Sequence, residues 1–142
     1  MNYKVEFLQR INEIHVDEIA EKRRFKLAKE QALLTINNYF ESLFENLGEA
    51  ASASKLFQME DHLHWYKIKF AQNSFLNVHK YPDVSKVPDK IKVELGCLGT
   101  VWEDSLSYKD GRYVSRKYKM DLNEALLDEY LKEAFDKYLS KY

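Results

Sequence analysis

The first 47 residues of this chain contain neither glycine nor proline, and this stretch constrains the fold more than any other feature. Residues 17–47 are rich in good helix formers, and Asp17 is suited to be an N-cap because acidic residues follow it in the first turn. Gly48 would end such a helix. Apolar side chains recur at spacings of three and four on one predicted face, at Leu33, Ile36, Phe40, Leu43 and Leu47.

The length of this predicted helix limits how it can pack. Residues 17–47 extend about 46 Å as a helix, whereas a folded chain of 142 residues is about 37 Å across. Part of the helix is therefore expected to project or to pack against a second copy, and we expect a homodimer through residues 17–47. The middle of the helix has a poor apolar stripe, and there we predict contact with a protein partner. The predicted partner-binding residues are Arg23, Arg24, Phe25, Lys26 and Leu27.

The residues before this helix give mixed signals. Residues 3–7 alternate in polarity as a strand does, whereas Leu8, Ile11 and Ile14 follow helical spacing. We favour a helix over residues 3–14, broken near His15-Val16.

The character of the chain changes after Gly48. Small and polar residues at 49–54 indicate a linker, and residues 55–120 are rich in the aromatic and β-branched side chains typical of strands. Two prolines indicate a loop at 81–89. Strands are predicted at 63–71 and 74–80 around a Gln72-Asn73 turn, at 91–95, and at 100–109 and 112–120 around an Asp110-Gly111 hairpin turn.

Residues 121–141 predict a second helix. Its apolar face comprises Leu126, Leu127, Tyr130, Leu131, Phe135, Tyr138 and Leu139. Strands that are grouped between helices, and not interleaved with them, are typical of the α+β class. The sequence therefore predicts a single domain over residues 1–142: a long N-terminal helix with residues 1–47 mainly helical, a four- to five-stranded antiparallel meander sheet in residues 55–120, and a C-terminal helix packed on the sheet.

Motifs for catalysis are scarce. The glycines form no phosphate-binding or dinucleotide-binding pattern, and Gly96–Thr100 is better explained by a bulge or by close backbone packing. Cys97 has apolar neighbours, which favours a small buried side chain over a nucleophile. Glu103 and Asp104 would point to opposite faces of a strand. We therefore expect no enzyme activity, no cofactor and no metal ion.

Three histidines leave one enzymatic alternative open. With a turn at Gln72-Asn73, the residues His62, His64 and His79 would share a sheet face, an arrangement that can hold zinc or non-haem iron. The same face would carry several aromatic side chains, which is typical of a core, and a shift of one residue in the register would separate the histidines.

Positive charge is concentrated in the predicted hairpin. Residues 108–119 carry five basic residues and one acidic residue, a local net charge of +4, although the whole chain has a net charge of −1. Cations that contact phosphates and rings that stack on bases make nucleic-acid binding an alternative function. Lysine and tyrosine are also common in solvated strands. The residues concerned are Tyr108, Arg112, Tyr113, Arg116, Lys117 and Lys119.

The remaining composition narrows the class of protein. No apolar run has the 18 residues of a membrane span, the first residues lack the pattern of a secretion signal, and one cysteine fits a reducing compartment, so we expect a soluble cytoplasmic protein. Aromatic residues make up 14% of the chain, and tyrosine and tryptophan dominate protein–protein contacts. The leading hypothesis is a small non-enzymatic protein that binds a macromolecular partner, above all another protein, as a regulator, inhibitor, immunity-type protein or assembly factor.

Overall fold

The chain folds into three helices and six strands within residues 2–71, 73–83 and 89–141, which the computed structural model describes. The helices are α1 (Tyr3–Ile14), α2 (Val16–Ala53) and α3 (Glu124–Leu139). The strands are β1 (Phe57–Asp61), β2 (Trp65–Phe70), β3 (Ser74–His79), β4 (Lys90–Cys97), β5 (Thr100–Lys109) and β6 (Arg112–Ser115). The predicted α+β class is confirmed, with six strands where four to five were predicted.

The two N-terminal helices follow directly from local sequence signals. Asn2 caps α1 by accepting a hydrogen bond from the Lys4 amide at 3.0 Å. The predicted helix over residues 3–14 and its break at His15 are confirmed. The 38 residues of α2 extend about 57 Å.

The predicted helix stop at Gly48 and the predicted linker at 49–54 are wrong, because α2 continues to Ala53. A glycine inside a helix costs only about 1 kcal/mol relative to alanine. Alanine, the best helix former, occupies three of the five positions that follow Gly48. The helix therefore ends where Ser54 adopts extended backbone angles.

The six strands form one antiparallel sheet in chain order. The predicted Asp110-Gly111 turn joins β5 and β6 with φ of 50° and 85°, the left-handed values of a type I′ hairpin. Leu98-Gly99, with φ of 51° and 90°, makes a similar turn between β4 and β5. Gln72 of the predicted Gln72-Asn73 turn and residues 84–88 of the predicted loop lie outside the described residues.

The core lies between the sheet and the two helices that cover one of its faces. The strands contribute alternate side chains, which include Tyr66, Ile68, Leu76, Val78, Ile91, Val93, Leu95 and Leu106. Helix α2 contributes Ala28, Ala32, Ile36 and Phe40, and α3 contributes Leu126, Leu127, Tyr130, Ala134 and Phe135. Phe40 stacks on Tyr66 with ring centroids 4.9 Å apart, which fixes α2 over the middle of β2.

Gly96 lies on the uncovered face of the sheet, opposite Phe75 in β3. A Cβ atom at position 96 would lie 2.6 Å from Cδ1 of Phe75. We expect Gly96→Ala to lower the free energy of unfolding by about 1–3 kcal/mol, because the ring must leave its position. The matched control is Gly48→Ala, where a Cβ meets no neighbouring atom within 4 Å and a gain of about 0.5–1 kcal/mol is expected. Urea unfolding measures both, and a Gly96→Ala protein as stable as wild type would contradict the close packing.

Candidate functional site

Helix α1 presents an apolar face to solvent along its whole length. Tyr3, Phe7, Ile11 and Ile14 recur every three or four residues and therefore lie side by side. Their exposed fractions are 72%, 50%, 41% and 71%. None of the residues of α1, all of which the structure describes, is buried. An isolated helix of this length is marginally stable in water, so a surface that covers this face would stabilise α1.

The rest of α1 is mostly polar, apart from the exposed Val5 and Leu8, and its charges are balanced. Lys4 and Arg10 lie closer to the apolar face than Glu6 and Glu13, as helical spacing requires. On the polar side, Gln9 donates a hydrogen bond to Glu13 at 3.3 Å. The helix thus combines a continuous apolar stripe with a net charge of zero.

The first part of α2 also lies outside the core. The buried residues of α2 begin at Ala28, and Glu21 and Arg24 lie against the β5–β6 hairpin, so residues 16–20 precede these contacts, as the length of the predicted helix led us to expect. Of the predicted partner-binding residues, Arg23, Lys26 and Leu27 are exposed, and Leu27 has an exposed fraction of 53%. These three side chains are accessible to a partner next to α1.

The other two predicted partner-binding residues join α2 to the basic hairpin. Phe25 packs edge-on against the ring of Tyr108 with centroids 5.0 Å apart. The Tyr108 hydroxyl donates a hydrogen bond to Glu21 at 2.9 Å, and Arg24 pairs with Glu21 at 3.3 Å. Burial and the bond to Glu21 raise the pKa of Tyr108 above its ordinary value. Two surfaces that were predicted separately therefore meet in one junction, where Phe25 and Arg24 have partners within the chain.

Acidic residues neutralise part of the positive charge of the hairpin. Arg112 pairs with Asp121 at 3.2 Å, and Lys117 pairs with Glu133 of α3. Both contacts reduce the charge that the hairpin offers to a phosphate. The two other predicted phosphate-contacting residues, Arg116 and Lys119, are exposed.

The tyrosines of the hairpin contribute little free ring surface. Tyr113 is only 2% exposed, because it lies on the core side of β6 and packs there with the core cluster. Tyr118 is half-buried and donates a hydrogen bond to Glu133. Tyr108 packs against Phe25. Base stacking needs an open ring face, and the structure places the ring of Tyr113 away from solvent.

Two of the three histidines share a neighbour, because His62 and His79 both lie against the ring of Trp65, with ring centroids 4.9 and 5.9 Å away. In the register of β2 and β3, Trp65 lies directly opposite His79, so His64 is offset from it by one residue, and His64 and His79 line one cavity of about 570 Å³. Among the described residues, no three His, Cys, Asp or Glu side chains are placed to hold a metal ion. The other neighbours of the histidines are Glu60 at 3.5 Å from His62, the ring of Tyr81 beside His64, and Glu94 at 3.3 Å from His79.

An apolar groove of about 540 Å³ lies between the C-terminal half of α2 and α3, above β1 and β2. Its apolar lining includes Leu43, Leu47, Phe57, Phe70, Leu131 and Leu139. Asp128, Lys132 and Asp136 of α3 form its polar rim. Sequence reasoning did not find this groove, because the space between two helices depends on their packing and leaves no local pattern. We refer to it below as the α2–α3 groove.

A buried polar network connects β5, β6 and α3. Asp104, which is 5% exposed, accepts hydrogen bonds from the hydroxyls of Ser115 and Tyr130, both at 2.5 Å, and from the Lys117 amide at 3.1 Å. Burial and the bond to Asp104 raise the pKa of Tyr130. The network contains hydroxyl and carboxylate groups but lies in the core, where it stabilises the fold. The burial of Asp104 was not evident from the sequence, because nothing local distinguishes this acidic residue from its neighbour Glu103, which is exposed.

Comparison of the chain with family models, with curated protein sequences and with solved structures found no match. None of the helices in the described residues is long and apolar enough to cross a membrane.

Proposed function

We propose that this protein acts by binding another protein through the apolar face of α1. The observation that carries the proposal is the continuous stripe of Tyr3, Phe7, Ile11 and Ile14, which is exposed although the chain has a well-packed core elsewhere. An amphipathic helix that lays such anchors into a groove is a recurring mode of protein recognition. The protein would serve as a non-enzymatic regulator, inhibitor or assembly factor.

The chemistry of α1 favours a protein partner over a phosphate or an anionic lipid surface. Helices that bind such surfaces carry an excess of lysine and arginine on their polar side. In α1, two basic residues are matched by two acidic residues, and the acidic residues Glu6 and Glu13 occupy the side away from the stripe. A partly apolar groove on a protein can bind the apolar face of this helix without an excess of charge on either side.

The predicted residues on α2 have a secondary role in this proposal. Arg23, Lys26 and Leu27 are exposed on the N-terminal part of α2, which follows α1 in the chain, and can form a rim of the contact. Phe25 and Arg24 support the proposal indirectly. Phe25 packs against Tyr108 and Arg24 lies beside Gly111, and these contacts hold α2 against the β5–β6 hairpin.

A charge placed on the apolar face tests the proposal. We expect Ile11→Glu to reduce capture of the partner at least about tenfold, since a buried apolar side chain contributes about 1.5–3 kcal/mol. The control is Gln9→Glu, which adds the same charge on the polar side of the same helix. Neither side chain is buried, so both variants should unfold at the wild-type urea concentration.

The measurement is cross-linking of the tagged protein in a lysate of its source cells, followed by mass spectrometry and reconstitution with the purified partner. A protein adduct that disappears in Ile11→Glu and persists in Gln9→Glu supports the proposal. Equal capture by the two variants contradicts it. An adduct lost after nuclease treatment of the lysate would instead favour the nucleic-acid alternative and the exposed Arg116 and Lys119.

A further inference from the structure

We propose that the partner of α1 is a second copy of this chain, and that α1 of each copy docks in the α2–α3 groove of the other. This inference rests on the proposed function, because it takes the apolar face of α1 as the contact surface and names what covers it. Within the residues that the structure describes, the exposed apolar face of α1 and the apolar α2–α3 groove are complementary in shape, one convex and one concave, and cover each other in such a dimer.

The dimensions of the two surfaces agree. Helix α1 has 12 residues and is about 18 Å long. The α2–α3 groove follows α3 from Asp128 to Leu139, a distance of about 16 Å along the helix axis. A single helix of the length of α1 therefore spans the groove from end to end, and its anchors at spacings of three and four meet an apolar lining throughout.

The charges at the edge of the two surfaces are complementary. The rim of the groove has two carboxylates, Asp128 and Asp136, and one ammonium group, that of Lys132. The basic residues of α1, Lys4 and Arg10, lie near the apolar stripe, and its acidic residues lie on the far side. Docking therefore brings the basic residues of α1 toward the net negative rim and leaves the acidic residues in solvent.

The groove is out of reach of α1 of the same chain. Its nearest lining residue on α2, Leu43, lies about 40 Å along the helix from Val16, where α2 begins. A helix about 18 Å long that folded back along α2 from His15 would end beside residue 28. The occupant must come from another molecule, and reciprocal exchange makes the contact isologous, so that it closes as a two-fold dimer and leaves no open end for a filament.

Sedimentation velocity of the full chain at micromolar concentration tests the inference. The wild type and Gln9→Glu are expected to sediment as dimers, and Ile11→Glu as a monomer. In the groove, Leu139→Glu is expected to raise the dimer dissociation constant at least about tenfold, since it places a charge in an apolar contact. Leu139 is 51% exposed, so this variant should keep its fold. Its control is Val101→Glu on the uncovered face of β5, an apolar residue that is 63% exposed and lies outside the groove, and this variant should remain a dimer.

Mixing the two disrupted variants tests the reciprocal arrangement. Ile11→Glu retains an intact groove, and Leu139→Glu retains an intact α1, so the mixture should form a heterodimer with one of the two contacts. A wild-type circular dichroism spectrum and a cooperative urea unfolding transition for each variant show that loss of the dimer is not loss of the fold. A monomeric wild type, a dimer that persists in both variants, or a mixture without heterodimer overturns the inference. A monomeric wild type whose captured partner still depends on Ile11 overturns the inference and leaves the proposed function standing.

Discussion

Replacing Asp104 with alanine is expected to lower the free energy of unfolding by about 3–5 kcal/mol. The carboxylate is buried and accepts hydrogen bonds from the hydroxyls of Ser115 and Tyr130 and from the amide of Lys117. Alanine would leave these donors without an acceptor inside the core, and each orphaned donor costs about 1–3 kcal/mol. Since a domain is stable by only about 5–15 kcal/mol, the variant would be close to the threshold of folding.

Neighbouring substitutions separate the buried network from a general effect of mutation in β5. Glu103→Ala removes the adjacent carboxylate, which is exposed and pairs with Lys92 at 3.2 Å, and should cost no more than about 1 kcal/mol. Tyr130→Phe keeps the buried ring but removes one of the three donors to Asp104, so a cost between those of the two alanine variants is expected. Chemical denaturation at neutral pH gives all three values. If Asp104→Ala and Glu103→Ala are equally stable, the hydrogen bonds of Asp104 do not support the fold.

The elements that local chemistry determines could be predicted from the sequence. The helix over residues 3–14 and the Asp110-Gly111 turn depend on a few adjacent residues, because apolar spacings of three and four indicate a helix and a type I′ turn needs two left-handed residues. The predicted N-cap Asp17 is wrong, since α2 begins at Val16 after His15, whose side chain makes no capping bond. The alternation of Ile91, Val93 and Leu95 also predicted a half-buried strand, and all three side chains are in the core.

Elements that depend on distant residues could not be predicted in this way. The strand β1 has the sequence Phe-Gln-Met-Glu-Asp, which alternates over only four residues, and β2 supplies its hydrogen-bond partners. The α2–α3 groove is lined by residues of four elements, α2, α3, β1 and β2, that are distant in the sequence. Asp104 is buried because Ser115 and Tyr130, which are 11 and 26 residues away, bond to it. The apolar spacing of α1 was visible in the sequence, but its exposure required the structure.

Alkaline pH is expected to destabilise the protein through its buried tyrosines, and Tyr66 gives the clearest test. Burial, reinforced by the nearby charges of Asp61 and Glu41, raises the pKa of Tyr66 to about 12. A phenol whose pKa is higher in the folded chain contributes stability that is complete below its unfolded pKa of about 10 and is lost as the pH rises from 10 to 12. Each unit of pKa shift corresponds to about 1.4 kcal/mol, so Tyr66 alone accounts for about 3 kcal/mol over this range.

The variant Tyr66→Phe tests this expectation, because its stability and that of the wild type should become equal at alkaline pH. At neutral pH the variant is expected to be less stable by about 0.5–1.5 kcal/mol, because it loses the hydrogen bond that the Tyr66 hydroxyl donates to Asn37 at 2.8 Å, while its ring still stacks on Phe40. Phenylalanine does not ionise, so the variant lacks the part of the alkaline loss of stability that comes from Tyr66, whereas both proteins share the part that comes from the other buried tyrosines. The difference in unfolding free energy between wild type and Tyr66→Phe should vanish near pH 11, which is about one unit above the unfolded pKa. Urea midpoints measured from neutral pH to pH 11 follow the two proteins, and a constant gap between wild type and Tyr66→Phe would show that ionisation of Tyr66 is not linked to unfolding.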